Sequence, residues 1–126
     1  AILAELALEV FSVERLPELL ASVQEHLRAL GYLNIHFSTG NGSLGWPEEA
    51  PFNAMLISAA APDVPAPLLE QLSDGGRMVI PIGSPQSQML THIEKRAGII
   101  HRAEIANCVF VPLVGEYGWP PHESST

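Results

Sequence analysis

Three residues in the first third of the chain have the types and positions needed to hold a nucleoside. Glu14 closes the strand-like stretch VFSV, and Asn41 and Gly42 follow a second strand-like stretch, NIHFST. A carboxylate can accept hydrogen bonds from both ribose hydroxyls. Asn can offer an acceptor oxygen to an adenine amino group, and Gly lets a planar base approach the backbone. Because ligands of open α/β sheets bind at the carboxyl ends of strands, these residues indicate a nucleotide-type cofactor.

Each strand end also has a plainer interpretation. Glu14 could be an acid at the start of a helix, where the helix dipole favours negative charge, and Asn-Gly is an ordinary turn pair. A third strand end, SAAAPDVP, has small residues that leave room for a ligand but are equally suited to close packing. No glycine-rich nucleotide-binding loop is found in these 126 residues. The residues alone therefore leave a binding role and a structural role open.

The apolar pattern predicts the elements that position these residues. Apolar residues recur every three or four positions over residues 16–30, which predicts an amphipathic helix beginning near Pro17 and ending near Gly31. FNAMLIS and RMVIPIG are apolar at nearly every position, as in strands covered on both faces. Between them, APDVPAPLLEQLSDGG predicts a short helix closed by its glycine pair. The alternation predicts a mostly parallel sheet, and the stretch around RAG predicts an antiparallel hairpin at its edge.

Charge and composition exclude several classes of function. Lys and Arg number 6 against 14 Asp and Glu, and the net charge of -8 argues against binding to a phosphate backbone. No apolar run reaches the roughly 20 residues that span a bilayer, and the first residues do not resemble a signal peptide. The single cysteine, Cys108, is predicted to be a buried and unreactive thiol. We therefore expect a cytoplasmic protein that binds neither nucleic acid nor membranes.

No metal centre and no acid–base or nucleophilic catalytic residue is predicted. The histidines are scattered without ligand spacing, and no cysteine cluster accompanies them. They are His26, His36, His92, His101 and His122. A G-x-S-x-G elbow and a P-loop are also missing from the sequence, so hydrolysis and phosphoryl transfer have no group to carry them.

Three stretches together resemble the protein-L-isoaspartate O-methyltransferase family. They are VFSVER, GNGSLGWPEEAPFNAMLISAAAPDVPAPLLEQLSDGGRMVIPIGS and FVPLVGEYGW, and the resemblance runs from about residue 1 to 119. It implies an α/β fold, the Rossmann-like fold of S-adenosylmethionine-dependent methyltransferases, with a mostly parallel sheet and antiparallel carboxyl-terminal edge strands. A partial methyltransferase domain over residues 1–119 and a flexible tail over 120–126 are expected on this basis.

The resemblance also implies roles for particular residues. Glu14 would hold the ribose of S-adenosylmethionine, and Asn41 and Gly42 would hold its adenine. Two stretches would lie near the bound peptide: Ala59, Ala60, Ala61 and Pro62, called segment 59–62 below, and Val111, Pro112 and Leu113, called segment 111–113. The implied reaction methylates the isoaspartyl carboxylate of damaged proteins, a repair step. Its partners would be isoaspartyl-containing peptides and proteins, and a monomer is expected for a full-length member.

The sequence departs from the family's pattern in ways that affect function. The family's first strand and its loop G-x-G-x-G-Y should come immediately before AILAEL, so we expect an amino-terminally truncated and inactive form. Asn41 and Asn53 stand where the family usually has Asp, and the lost charge at position 41 would weaken cofactor binding. Either this form keeps the fold as a non-catalytic remnant or interaction module, or the strand-end acid belongs to another dinucleotide enzyme such as a dehydrogenase. SAAAP and FVPL argue against a dehydrogenase.

A missing first strand would lie between residues 10–13 and residues 54–57. Buried backbone groups without partners cost about 1 to 3 kcal/mol each, which a marginally stable domain cannot sustain over a whole strand. We therefore predict that residues 10–13 pair directly with residues 54–57, or that another segment or a second chain fills the gap. Self-association of the chain would be one such outcome.

Overall fold

The computed structural model describes residues 1–121 and divides the chain into two compact units. The first unit is Ala1–Gly42, and the second begins at Ser43. Helices and strands alternate in the first unit, whereas the second ends in three consecutive strands, as the apolar pattern and the predicted hairpin indicate.

The first unit is a parallel strand pair with two helices. It contains α1 (Ile2–Leu6), β1 (Val10–Glu14), α2 (Pro17–Ala29) and β2 (Ile35–Thr39). Helix α2 begins with Pro at its first position, where a missing N–H has no cost, and the chain leaves it through Gly31 at φ 90°. The two strands run parallel from the pair Val10 and Ile35 to the pair Glu14 and Thr39.

Little of the first unit is buried. Ala4 is the one buried residue in it, and α2 has none. Apolar side chains of both helices and both strands, among them Leu3, Val23 and Phe37, line a cavity of about 470 Å³. The side-chain amide of Asn34 donates to the carbonyl oxygen of Ala4 at 2.9 Å and thereby ties the end of α1 to the start of β2.

The prediction that residues 10–13 pair directly with residues 54–57 is wrong. Within residues 1–121, β1 pairs only with β2, and no ladder joins it to the strand that contains residues 54–56. The prediction assumed that unpaired groups would be buried, whereas every residue of β1 is half-buried and the residues of the later strand are half-buried or exposed. Groups that water can reach do not carry the full cost of an unmade hydrogen bond.

The second unit is a four-stranded mixed sheet with one short helix. Its elements are β3 (Phe52–Leu56), α3 (Ala66–Gln71), β4 (Leu72–Ser84), β5 (Ser87–Arg96) and β6 (Ile99–Cys108), and two 3-10 turns precede them. The strand order is β3-β4-β5-β6, with β3 parallel to β4 and the rest antiparallel. The predicted antiparallel hairpin is thereby confirmed. The core of the second unit consists of Ala61, Leu68, Leu72, Met78, Ile80 and Ile93.

The glycine pair does not close α3 as predicted. The helix ends at Gln71, and Gly75 and Gly76 lie inside β4, where the register against β3 shifts between Phe52 and Ala54. Gly75 has φ 82°, and a Cβ on Gly76 would lie 2.7 Å from the carbonyl oxygen of Ser73, so the pair serves an irregular stretch of strand. The ammonium of Lys95 instead caps the carboxyl end of the helix, where it donates to the carbonyl oxygens of Leu69 and Leu72 at 3.1 Å each.

Two smaller expectations concern the end of the chain. Cys108 is half-buried at the end of β6 rather than fully buried. The flexible tail predicted for residues 120–126 lies mostly outside the described residues, and the boundary at residue 119 stays a prediction.

Candidate functional site

The three predicted cofactor residues all lie in the first unit, at one end of its parallel pair. Glu14 is the last residue of β1 and pairs with Thr39, the last residue of β2. The N–H of Gly40 donates to the carbonyl oxygen of Glu14 at 3.0 Å, so the turn that carries Asn41 and Gly42 starts beside Glu14. The parallel pairing therefore brings the predicted ribose and adenine residues to the same strand ends.

The strand ends that carry these residues are accessible. Glu14 is half-buried, so its carboxylate is within reach of a ligand. Among the described residues, no atom comes within 4 Å of the place where a Cβ on Gly40 would be, so the backbone there is open to a flat ring. Asn41 and Gly42 are half-buried beside it.

Glu14 also takes the structural role that the sequence left open. Its Oε1 accepts a hydrogen bond at 3.2 Å from the N–H of Leu16, the residue that caps α2. The carboxylate thus supports the start of a helix of 13 residues. A carboxylate has a second oxygen with its own lone pairs, so this contact and a ribose contact do not exclude each other.

The two predicted peptide segments contact each other in the second unit. The N–H of Ala60 donates to the carbonyl oxygen of Val111 at 2.7 Å, and the N–H of Leu113 donates back to the carbonyl oxygen of Ala60 at 2.7 Å. On its other side, Ala61 donates to Pro81 and accepts from Gly83, at 3.0 Å each. Segment 59–62 therefore lies between the end of β4 and segment 111–113, although 50 or so residues of sequence separate the two segments.

Burial divides segment 59–62 into two kinds of residue. Ala60 and Ala61 are 0% exposed, so their methyl groups have the packing role that the small residues also suggested. Ala59 is half-buried and Pro62 is exposed. Any contact of Ala60 or Ala61 with a ligand would have to use a carbonyl oxygen, because both N–H groups already donate within the fold.

Three buried polar side chains that the sequence analysis did not single out hold loops in this unit. Ser43 Oγ accepts from the N–H of Tyr117 at 3.3 Å. The Gln71 amide accepts from the N–H of Trp46 at 2.9 Å and donates to the carbonyl oxygen of Leu44 at 2.8 Å. The third, Gln88, acts on the backbone just before segment 111–113. A glutamine in an amphipathic strand carries no local signal of this role, because its partners are far away in sequence.

The described residues hold neither a metal cluster nor a spanning helix. Within residues 1–121, no three His, Cys, Asp or Glu side chains gather closely enough to bind a metal ion. In the same range, no helix has the length and apolar character required to cross a bilayer.

A parallel strand pair with helices, together with a mixed sheet whose last strands are antiparallel, is typical of the Rossmann-like methyltransferase fold. A protein described as a protein-L-isoaspartate O-methyltransferase of Plasmodium falciparum, solved with S-adenosyl-L-homocysteine, is similar with a TM-score of 0.73 and 26% identity, over 84% of this chain and 52% of that one. A second structure, a protein-L-isoaspartate O-methyltransferase, is similar with a TM-score of 0.79 and 25% identity, over 87% of this chain and 35% of that one. The family model of protein-L-isoaspartate (D-aspartate) O-methyltransferases matches residues 1–118, and the chain belongs to this family.

Curated relatives agree with this assignment. The protein-L-isoaspartate O-methyltransferase of Dictyoglomus thermophilum is 52% identical over 119 residues, which are 94% of this chain and 54% of the relative. That of Koribacter versatilis is 49% identical over 121 residues, 96% of this chain and again 54% of the relative. The chain thus spans about half the length of the curated relatives that it matches.

Proposed function

We propose that this chain carries the ribose, adenine and peptide contacts of an S-adenosylmethionine-dependent protein-L-isoaspartate O-methyltransferase. The observation that carries the proposal is the meeting of Glu14 with the turn of Asn41 and Gly42 at the ends of two parallel strands. Strand ends of this kind are where ligands bind in open α/β sheets. The relatives' names, and the S-adenosyl-L-homocysteine bound to the Plasmodium protein, support this choice of cofactor.

Each group of residues has a separate task in the proposed site. Glu14 would accept hydrogen bonds from the ribose hydroxyls, while Asn41 and Gly42 would border the adenine. S-adenosylmethionine, when bound, supplies a methyl group activated by the sulfonium. The acceptor is the carboxylate of an isoaspartyl residue, which is ionised at neutral pH. The site therefore needs no general base, and the task of the protein is to align the two reactants.

The peptide would be held by segments 59–62 and 111–113. Because the chain has a net charge of -8, long-range attraction would not draw an anionic substrate to this site. Neutral backbone N–H groups are the donors that remain, and those of Ala60, Ala61 and Leu113 already donate within the fold. Since proline has no N–H, the groups that the two segments can offer to a peptide are those of Ala59 and Val111. The proposed substrates are isoaspartyl-containing peptides and proteins, and neither nucleic acid nor a membrane is a proposed partner. A cytoplasmic location and a monomeric full-length form stay predictions.

A non-catalytic module of the same fold is the second candidate. The observation in its favour is that Glu14 already has a structural partner, since its Oε1 accepts from the N–H of Leu16. Such a module would keep the fold without binding S-adenosylmethionine.

Isothermal titration of the chain with S-adenosylmethionine and with NAD tests the proposal. We expect S-adenosylmethionine to bind at least about tenfold more tightly than NAD, a difference of ~1.4 kcal/mol. Tighter binding of NAD would favour a dehydrogenase-type site. No heat with either ligand would favour the non-catalytic module.

A further inference from the structure

The side chain of Gln88 joins two parts of the backbone near segment 111–113. Gln88 lies on β5 and is 2% exposed. Its Nε2 donates to the carbonyl oxygen of Ser84, at the end of β4, and its Oε1 accepts from the N–H of Phe110, at 2.7 Å each. One buried amide therefore connects the end of β4 to the residue directly before segment 111–113.

From Phe110 the connection continues to the other peptide segment. The next residue, Val111, accepts from the N–H of Ala60, and Leu113 donates to the carbonyl oxygen of Ala60. The direction in which the chain leaves Phe110 thus determines how segment 111–113 meets segment 59–62.

Apolar packing holds the two neighbours of Phe110 only weakly, although Leu113 further along the chain packs against the core of the unit. Val109 is 72% exposed and Val111 is 70% exposed, so neither side chain anchors the backbone in the core. Hydrogen bonds must then define the position of the backbone at Phe110. The Gln88 amide supplies one of them from a buried site, where both of its polar ends bind protein groups and not water.

The chemistry of the position favours glutamine. The side chain must donate to one carbonyl group and accept from one N–H, which a carboxylate or an apolar side chain of the same length cannot do at once. Gly83 allows the close approach of the two strands here, because a Cβ on Gly83, at φ 152°, would lie 2.9 Å from the Cα of Gln88.

We propose that Gln88 is a positioning residue of the peptide site, which holds segment 111–113 against segment 59–62 through the N–H of Phe110. The inference rests on the proposed function, since it takes segment 111–113 to be part of the peptide site. Gln88 itself does not contact the peptide or the cofactor in this proposal.

The variant Gln88→Met keeps the length of the side chain and removes both hydrogen bonds. Amide hydrogen exchange of Ala60 and Leu113 should become about tenfold faster, as expected from the loss of roughly one hydrogen bond. The affinity for a hexapeptide with one isoaspartyl residue should fall by about tenfold as well. Binding of S-adenosylhomocysteine should change by less than about twofold, because its proposed contacts are in the first unit.

The matched control is Gln71→Met. Gln71 is a second buried glutamine of the same unit, with two hydrogen bonds to the loop at Leu44 and Trp46. This variant should leave the exchange of Ala60 and Leu113 and the peptide affinity as in the wild type. Equal loss of peptide affinity in both variants would overturn the proposal, because the effect would then be general destabilisation. Unchanged exchange of Ala60 and Leu113 in Gln88→Met would overturn it too.

A measurement on the wild type decides the case if Gln88→Met does not fold. The N–H of Phe110 should exchange at least about tenfold more slowly than that of the neighbouring Val111, because only the former has the buried acceptor. Equal rates would overturn the proposal. Failure of the wild type to bind the hexapeptide would contradict the proposed function, whereas the exchange rates report separately on the hold that Gln88 has on the segment.

Discussion

The N–H of Leu113 donates to the carbonyl oxygen of Ala60 at 2.7 Å, and this contact joins two segments that are separated in sequence by more than half of the second unit. Ala60 in turn donates to Val111, so a single alanine is held through both of its backbone groups. Because Ala60 is also 0% exposed, its side chain and its backbone are both constrained.

Enlarging Ala60 should therefore disturb the second unit. We expect Ala60→Val to lower the free energy of unfolding by about 1 to 3 kcal/mol, because added methyl groups in a filled site force the surroundings apart. Urea unfolding followed by circular dichroism measures the change. The control is Ala54→Val on β3, where the side chain is exposed and the change should stay within about 0.5 kcal/mol. Equal stability of Ala60→Val and the wild type would show that the site has free space.

Glu14 should contribute to cofactor affinity when the remainder of a full-length enzyme is present. In a chimera that places the unmatched part of the Dictyoglomus thermophilum relative before Ala1, Glu14→Ala should weaken S-adenosylmethionine binding by about 1.5 to 3 kcal/mol, the scale of a hydrogen bond to a charged group. Isothermal titration measures this.

Glu14→Gln serves as the control for the helix start, because its amide oxygen can still accept from the N–H of Leu16. A lower melting temperature of Glu14→Ala with unchanged affinity would show that Glu14 acts only at the start of α2.

The 126-residue chain by itself should be a very poor methyltransferase. No G-x-G-x-G loop is present in it to fix the methionine end of the cofactor. We expect transfer to an isoaspartyl peptide to be at least about a hundredfold slower than in the full-length relative, which corresponds to ~2.7 kcal/mol of lost transition-state stabilisation. Incorporation of tritiated methyl groups measures the rate, with the chimera as the positive control. A rate close to that of the full-length relative would contradict this expectation.

One substitution in the turn between β5 and β6 should raise the free energy of unfolding. The strands pair up to Arg96 and Ile99, which leaves a two-residue loop of Ala97 at φ 50° and Gly98 at φ 76°. Both angles are positive, as in a type I′ turn, where Asn-Gly is preferred and a Cβ without a polar group is strained. Ala97→Asn should raise the free energy of unfolding by about 0.5 to 1 kcal/mol.

The same change at Ala103, an exposed position of β6, should not stabilise the protein, because Asn is unfavourable in strands. A loss of stability in Ala97→Asn would mean that the turn has another conformation in solution.

Tyr32, the tyrosine of the first unit, should make the stability of that unit depend on pH in the alkaline range. The pKa of Tyr32 is raised above 10.0, first by its hydrogen bond to Glu5, then by desolvation and by the charge of Glu5. The folded chain therefore holds this proton more tightly than the unfolded chain. The stabilisation is fully present below the unfolded value and is lost as the pH rises through the folded pKa.

Glu5→Ala should lower the pKa of Tyr32, which the ultraviolet absorbance of tyrosinate reports in a Tyr117→Phe background. Tyr32→Phe in the same background removes the signal and is the control. An unchanged tyrosinate titration in Glu5→Ala would show that the contact with Glu5 is not maintained in solution.

Local patterns in the sequence determined the order of elements and the placement of Glu14, Asn41 and Gly42 at strand ends. The spacing of apolar residues and the placement of Pro17 and Gly31 act over one or two helical turns, so α2 follows from residues 16–31 alone. The strand-like runs before Glu14 and Asn41 likewise place both residues at strand ends, and parallel pairing then brings them together. The family itself follows from motifs that span nearly the whole chain.

Only the tertiary structure decided how strands pair and which polar residues hold segments 59–62 and 111–113. The partner of β1, the end of α3 at Gln71 and the burial of Ala60 depend on residues that are distant in sequence. Lys95 caps a helix by binding the carbonyl oxygen of Leu69, 26 residues earlier in the chain. Gln88 accepts from the N–H of Phe110, 22 residues later. A hydrogen bond between such residues depends on the packing of the sheet, which sets their separation, and local periodicity has no information about it.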